Sequence, residues 1–138
     1  MEVAFEKILV AIDGSETSKR LLDYVRPLSA INESEVLIYH VRQQAYSGLA
    51  IREVGPIPVI TTDSAAKELV NAGIRAQSIE EEAYWGHTAN SIVDAANRYS
   101  ANLIVIGTRG LSRLPAAVLG SVAYKVLHLA KQPVLVIP

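Results

Sequence analysis

The 138-residue chain has no cysteine, an absence that excludes disulfides, thiolate metal ligands and cysteine nucleophiles together and is compatible with a cytoplasmic location. A single tryptophan and a single phenylalanine give no platform for stacking bases, and no lysine or arginine run tracks a phosphate backbone, so nucleic acid is not an expected partner. Half of the residues are hydrophobic. Yet the apolar runs near 8–12, 36–41, 103–106 and 134–137 are far shorter than the roughly 20 residues that cross a bilayer. No basic-then-apolar leader precedes Phe5, so the expectation is a soluble, cytoplasmic chain with no secretion signal. His40, His87 and His128 lack the i, i+3 or i, i+4 pairing of a helical metal site, and no metal site is expected. No Gly-x-Ser-x-Gly elbow joins Ser15, Ser121 and His40 into a hydrolytic set, so no catalytic residue is assigned. Acidic residues are missing from 95–138, which carries five bases, whereas 1–94 holds all 14 acids against 8 bases. That positive third either suits an anionic ligand or is neutralised by the other acids in the fold.

The periodicity of what remains describes one α/β domain over 1–138. Residues 7–12 (KILVAI) are a continuous apolar run rich in β-branched residues, the mark of a strand covered on both faces, punctuated by Asp13-Gly14-Ser15. Ser15 can cap a helix whose inner face is Leu21, Leu22, Val25 and Leu28, with Pro27 a kink or early end. Residues 35–41 repeat the strand pattern, 42–60 have no period and read as a loop or flap, 64–72 read as a short helix ended at Gly73, and 74–80 as a third strand. Glu80, Glu81 and Glu82 read as a solvated run behind it. Thr88 can cap a helix facing inward with Ile92, Val93, Ala96 and Tyr99; a strand at 102–106, a last helix through Val118, Val122, Val126 and Leu129, and a strand at 134–137 complete the chain. Strands alternating with helices imply right-handed crossovers and a five-stranded parallel sheet with helices on both faces.

The segment GTRGLSRLPAAVLGS carries the chemistry. Gly107 ends a buried strand; Gly110 can take φ > 0 and admit a ligand that a Cβ would repel. Gly120 and Ser121 stand where the last helix starts, and there unpaired N–H groups and the positive dipole end favour an anion. Arg109 and Arg113 lie in the same loop, within reach of phosphate oxygens, with Arg113 more readily placed in solvent than on the phosphates. Each glycine alone would serve a turn or a cap; their joint placement describes a phosphate cradle. It is not a Walker loop, since no Gly-x-x-x-x-Gly-Lys-Ser/Thr occurs, and the turn after the first strand lacks Gly-x-Gly-x-x-Gly.

The spacing Gly-x2-Gly-x9-Gly-Ser, with Val10-Ala11-Ile12-Asp13-Gly14-Ser15, His40-Val41 and Pro133-Val134-Leu135-Val136 in order along nearly the whole chain, resembles the universal stress protein family, and the glycine spacing resembles its ATP-binding branch. The resemblance implies a Rossmann-like, adenine nucleotide alpha hydrolase-like sheet ordered 3-2-1-4-5. Strands one and four then meet at a switch point, where open α/β sheets bind ligands. It also implies that Asp13 contacts ribose or base, that Val41 touches adenine, and that Gly107, Arg109, Gly110, Gly120, Ser121 and Val122 hold the phosphates of ATP, with Mg2+ carried by those phosphates. Related proteins pair the final strand into a homodimer, and 133–137 has no charge to protect an edge. Two departures are visible: Ala123 stands where the family commonly has a second hydroxyl, and 42–60 fits poorly. The leading expectation is an ATP-dependent switch or sensor in stress response. Any hydrolysis would be slow, since Asp13 has no second acid beside it. The alternatives are a dimeric interaction module with structural or no nucleotide, and a slow ATPase using 42–60 as a lid.

Overall fold

In a computed structural model, residues 4–47, 50–53, 58–84, 86–108 and 119–138 are described, and side chains are described for these except 44–47 and 50–53. The first apolar run forms β1 (Lys7–Ala11), every residue of Ile8–Ala11 being buried. Helix α1 (Glu16–Asn32) follows. Pro27 neither stops nor ends it: the residue lies on the exposed side, so the Asp23 carbonyl it leaves without an N–H partner faces water. The helix closes on Glu33 at φ 52, in the left-handed region.

Strand β2 (Glu35–Ser47) is 13 residues long, and with β3 (Ala50–Glu53) it forms an antiparallel hairpin. Of the expected loop or flap at 42–60, the described residues 42–47 and 50–53 are therefore strand. Helix α2 (Thr62–Asn71) begins on a capping box in which Thr61 and Ser64 satisfy one another's backbone N–H groups. Gly73 at φ 84 then turns the chain into β4 (Arg75–Tyr84). The glutamates at 80–82 sit inside that strand, not behind it. Arg42 of β2 holds Glu82 at 2.8 Å and Glu80 at 3.7 Å, and Arg98 holds Glu81 at 2.5 Å. Burial, and next to it the Glu81 carboxylate, pushes the Tyr39 hydroxyl on the same face well above its ordinary range.

His87, not Thr88, holds the N-cap position of helix α3 (Thr88–Tyr99) and makes no side-chain cap there; the Thr88 hydroxyl accepts from Gln43 Nε2 at 2.7 Å. The chain closes through β5 (Leu103–Gly107), α4 (Ser121–Leu129) and β6 (Val134–Ile137).

The five parallel strands lie in the order β4-β2-β1-β5-β6, the expected 3-2-1-4-5, with β3 added antiparallel. Gln44 pairs with Tyr84 of β4 on one side and Glu53 of β3 on the other. Thus β3 stands on the β1 side of β2, beyond the end of β1. Side chains of α1 and α2 fill one core with Ile8, Val10, Val36, Ile38 and Val105, and those of α3 and α4 fill a second on the opposite face. The crossovers from β1 and β5 thus leave to opposite faces, and a crevice opens between their carboxyl ends.

Candidate functional site

Asp13 lies two residues past the end of β1, after Ile12, whose N–H still bonds the Tyr39 carbonyl at 2.9 Å. The Asp13 N–H donates to Ser18 Oγ at 3.0 Å, Ser18 Oγ donates to Asp13 Oδ1 at 2.9 Å, and the Ser15 N–H donates to the same Oδ1 at 3.0 Å. This is the turn duty expected of a residue at that point, yet it occupies one carboxylate oxygen only. Among the described residues no donor reaches Oδ2.

Val41 is placed differently from a simple side-chain contact. Its side chain is 5 % exposed and packs in the core beneath α3. The backbone alternates, however: the Tyr39 carbonyl faces β1, so two residues on the Val41 N–H and C=O face the same side. The register of β1 with β2 ends at Tyr39, and that of β3 begins at Gln44. Val41 therefore directs one donor and one acceptor to the β1 side of β2, beyond the end of β1, and among the described residues neither has a recorded partner.

On the other wall, the Thr108 N–H following β5 donates to the Ile137 carbonyl at 2.8 Å, and the Gly120 N–H returns to the Thr108 carbonyl at 2.6 Å. This second bond closes the loop and uses the Gly120 amide. Gly120 has φ −66, a conformation open to any residue, and with no side chain it leaves the N-terminus of α4 without a side-chain cap. The first helical bond runs from Tyr124 N–H to the Gly120 carbonyl at 2.9 Å. The amides of Ser121, Val122 and Ala123 are thereby left at the positive end of α4 without helical acceptors. Ser121 is exposed, Val122 half-buried and Ala123 buried, so Ser121 supplies the hydroxyl of this turn. Gly107 ends β5 beside them. Arg109, Gly110, Arg113 and Val118 lie outside the described residues.

Two hydroxyls at this end of the sheet were not singled out as ligand donors by sequence. Ser15 Oγ and Thr108 Oγ1 are buried with no hydrogen-bond partner among the described residues, a condition that costs about 1–3 kcal/mol per group and is uncommon in native proteins. The available signal was their position, each directly following the last glycine of its strand-end turn. Among the described residues no group of three or more His, Asp or Glu side chains is gathered as a metal site, and no helix is long and apolar enough to cross a membrane.

With this geometry in view, the chain can be set beside known proteins. The profile of the universal stress protein family matches residues 4–138. Universal stress protein YxiE of Bacillus subtilis is 32% identical over 149 residues, an alignment covering 96% of this chain and 99% of that one. Among solved structures, the universal stress protein from Archaeoglobus fulgidus in complex with dAMP has a TM-score of 0.68 at 23% identity, covering 99% of this chain and 100% of that one. A universal stress protein in complex with cAMP has a TM-score of 0.62 at 22% identity, covering 98% of each chain. The two structures share the fold, and the profile and the Bacillus relative settle the kinship: the chain belongs to the universal stress protein family.

Proposed function

We propose that the chain binds an adenine nucleotide, ATP with its Mg2+, at the switch point between β1 and β5, and acts as a nucleotide-dependent switch or sensor. The observation that carries this reading is the convergence on one crevice of three kinds of group. The free amides of Ser121, Val122 and Ala123 suit phosphate oxygens, the unpaired Asp13 Oδ2 suits a ribose hydroxyl, and the Val41 N–H and C=O suit an adenine edge, which offers one acceptor and one amino donor. Ser15 Oγ and Thr108 Oγ1 gain the partners they lack. The relatives' complexes with dAMP and cAMP support an adenylate in this fold. Arg109 and Gly110 join the phosphate end on the family pattern, and Mg2+ would arrive on the phosphates, whose charge it neutralises. A single carboxylate with no second acid gives little means of activating water, so turnover well below about 1 s⁻¹ is expected.

Gly120→Val tests the placement. Since φ −66 suits valine, the variant should fold, while its side chain fills space at the phosphate end; ATP affinity should fall at least tenfold by titration calorimetry. Unaltered affinity in the folded variant places the phosphates elsewhere. Phosphate release by pure protein faster than about 1 s⁻¹ would instead make it an enzyme.

A further inference from the structure

The Asp13 carboxylate is held in a closed ring of bonds that decides which of its atoms a ligand can meet. The Asp13 N–H can only donate, so it takes a lone pair of Ser18 Oγ at 3.0 Å. The hydroxyl proton of Ser18 is then directed to Asp13 Oδ1, 2.9 Å away. Oδ1 accepts the Ser15 N–H as well, at 3.0 Å, whereas Oδ2 accepts nothing from the described residues. Ser18 is 2 % exposed and sits on α1, anchored by Leu21 and Leu22 in the core; it cannot follow the carboxylate if that group turns.

We propose that Ser18 is a positioning residue that fixes Asp13 with Oδ2 toward the crevice, so that the site selects ligands carrying a free ribose hydroxyl. This rests on the nucleotide reading and assigns it a discriminating device. Oδ2 is an acceptor with negative charge: it rewards a hydroxyl donor and repels a phosphate, which sets the ribose and not the phosphates against β1. Without Ser18 the carboxylate keeps one anchor, the Ser15 amide, and must be ordered on binding.

The test compares ATP with 2′,3′-dideoxy-ATP by calorimetry in wild type, Ser18→Ala, Asp13→Asn and the double variant, with folding checked by thermal melting. Wild type should prefer ATP. In Ser18→Ala that preference should shrink by about three- to tenfold, the scale of freezing one side chain on binding, with dideoxy-ATP affinity unchanged. In Asp13→Asn, Ser18 and Ser15 retain Oδ1 and turn the amide nitrogen toward the ligand, where it can donate to a ribose hydroxyl but no longer offers a charged acceptor, so the preference should shrink at least as far as in Ser18→Ala, and the double variant should show no larger a preference than either single one. Should Ser18→Ala not fold, Ser18→Cys leaves a weak donor in place, and its preference should fall between the two. Equal weakening of both nucleotides, or an unchanged preference in a folded Ser18 variant, overturns the proposal and leaves nucleotide binding intact. Wild type that binds both nucleotides equally does the same, while wild type that binds neither overturns the nucleotide reading together with this one.

Discussion

Gly14→Ala is expected to lower the melting temperature by about 10 °C and to abolish most nucleotide binding at the same time. Gly14 has φ 82, and a Cβ there would meet Pro58 Cβ at 2.6 Å and Pro58 Cα at 3.2 Å. The left-handed backbone costs a residue with a Cβ about 1–2 kcal/mol, and the crowding adds about 1–3 kcal/mol because the neighbour is a rigid ring. For a domain of this size the middle of that range corresponds to a fall of about 10 °C. The neighbour cannot simply withdraw, since the Val59 N–H donates to the Gly14 carbonyl at 2.8 Å and Ile60 is buried in the core shared with α1 and α2. Displacing the turn moves Asp13, which accounts for the second effect. Gly73→Ala is the control: φ is 84, yet nothing lies within 4 Å of the added Cβ, so only the backbone cost of about 1–2 kcal/mol applies. Equal melting temperatures in the two variants would show that the Pro58 contact contributes nothing.

The same turn shows what could be read from the residues and what could not. Continuous β-branched runs disclose β1, β5 and β6, because strands covered on both faces carry no polar side, and the Gly120-Ser121 start of α4 agrees with its position in the chain. The hairpin of β2 and β3 was not legible: its backbone pairing continues beyond the end of β1, and the residues 42–53 have no apolar period that would announce it. The glutamates of β4 concealed their strand for a related reason. At a sheet edge, charge is what keeps other strands away, and here Arg42 and Arg98 answer it from neighbouring elements. At the site, Asp13 could be named from its strand-end position, but Ser18 could not, since its bond spans five residues and follows no helical or turn spacing. Val41 was named only as touching adenine, and the structure buries its side chain while its backbone N–H and C=O face the β1 side of β2.

Mixing concentration-dependent light scattering with edge variants is expected to show a homodimer joined along β6, which we propose on a contrast between the two edges of the sheet. At one edge β4 is ten residues long and carries Arg75 and three consecutive glutamates. At the other, β6 reads Val134-Leu135-Val136-Ile137 without charge, and among the described strands it pairs with β5 alone. Beside it on α4, Tyr124 and Leu127 are exposed. An uncharged edge of this kind seeks a partner strand, and an isologous antiparallel contact closes after two subunits. The direction of each backbone group selects the variant. The Pro133 and Ile137 carbonyls accept from β5, at 3.0 Å from the Ile104 N–H and 2.8 Å from the Thr108 N–H. Residues 133, 135 and 137 therefore face β5, and the groups of Val134 and Val136 face outward. Leu135→Pro would break the internal ladder and unfold the edge. Val136→Pro removes an outward donor and leaves β5 paired, and Val136→Lys adds a charge whose stem can lie along the surface while its head stays in water. Both should run as monomers at about 10 μM, at least a tenfold rise in the dissociation constant, with thermal stability reduced by the lost interface and by the lost packing of Val136 against the core under α3 and α4. Wild type that is already monomeric at several hundred micromolar, or variants that stay dimeric, would place the contact elsewhere or remove it.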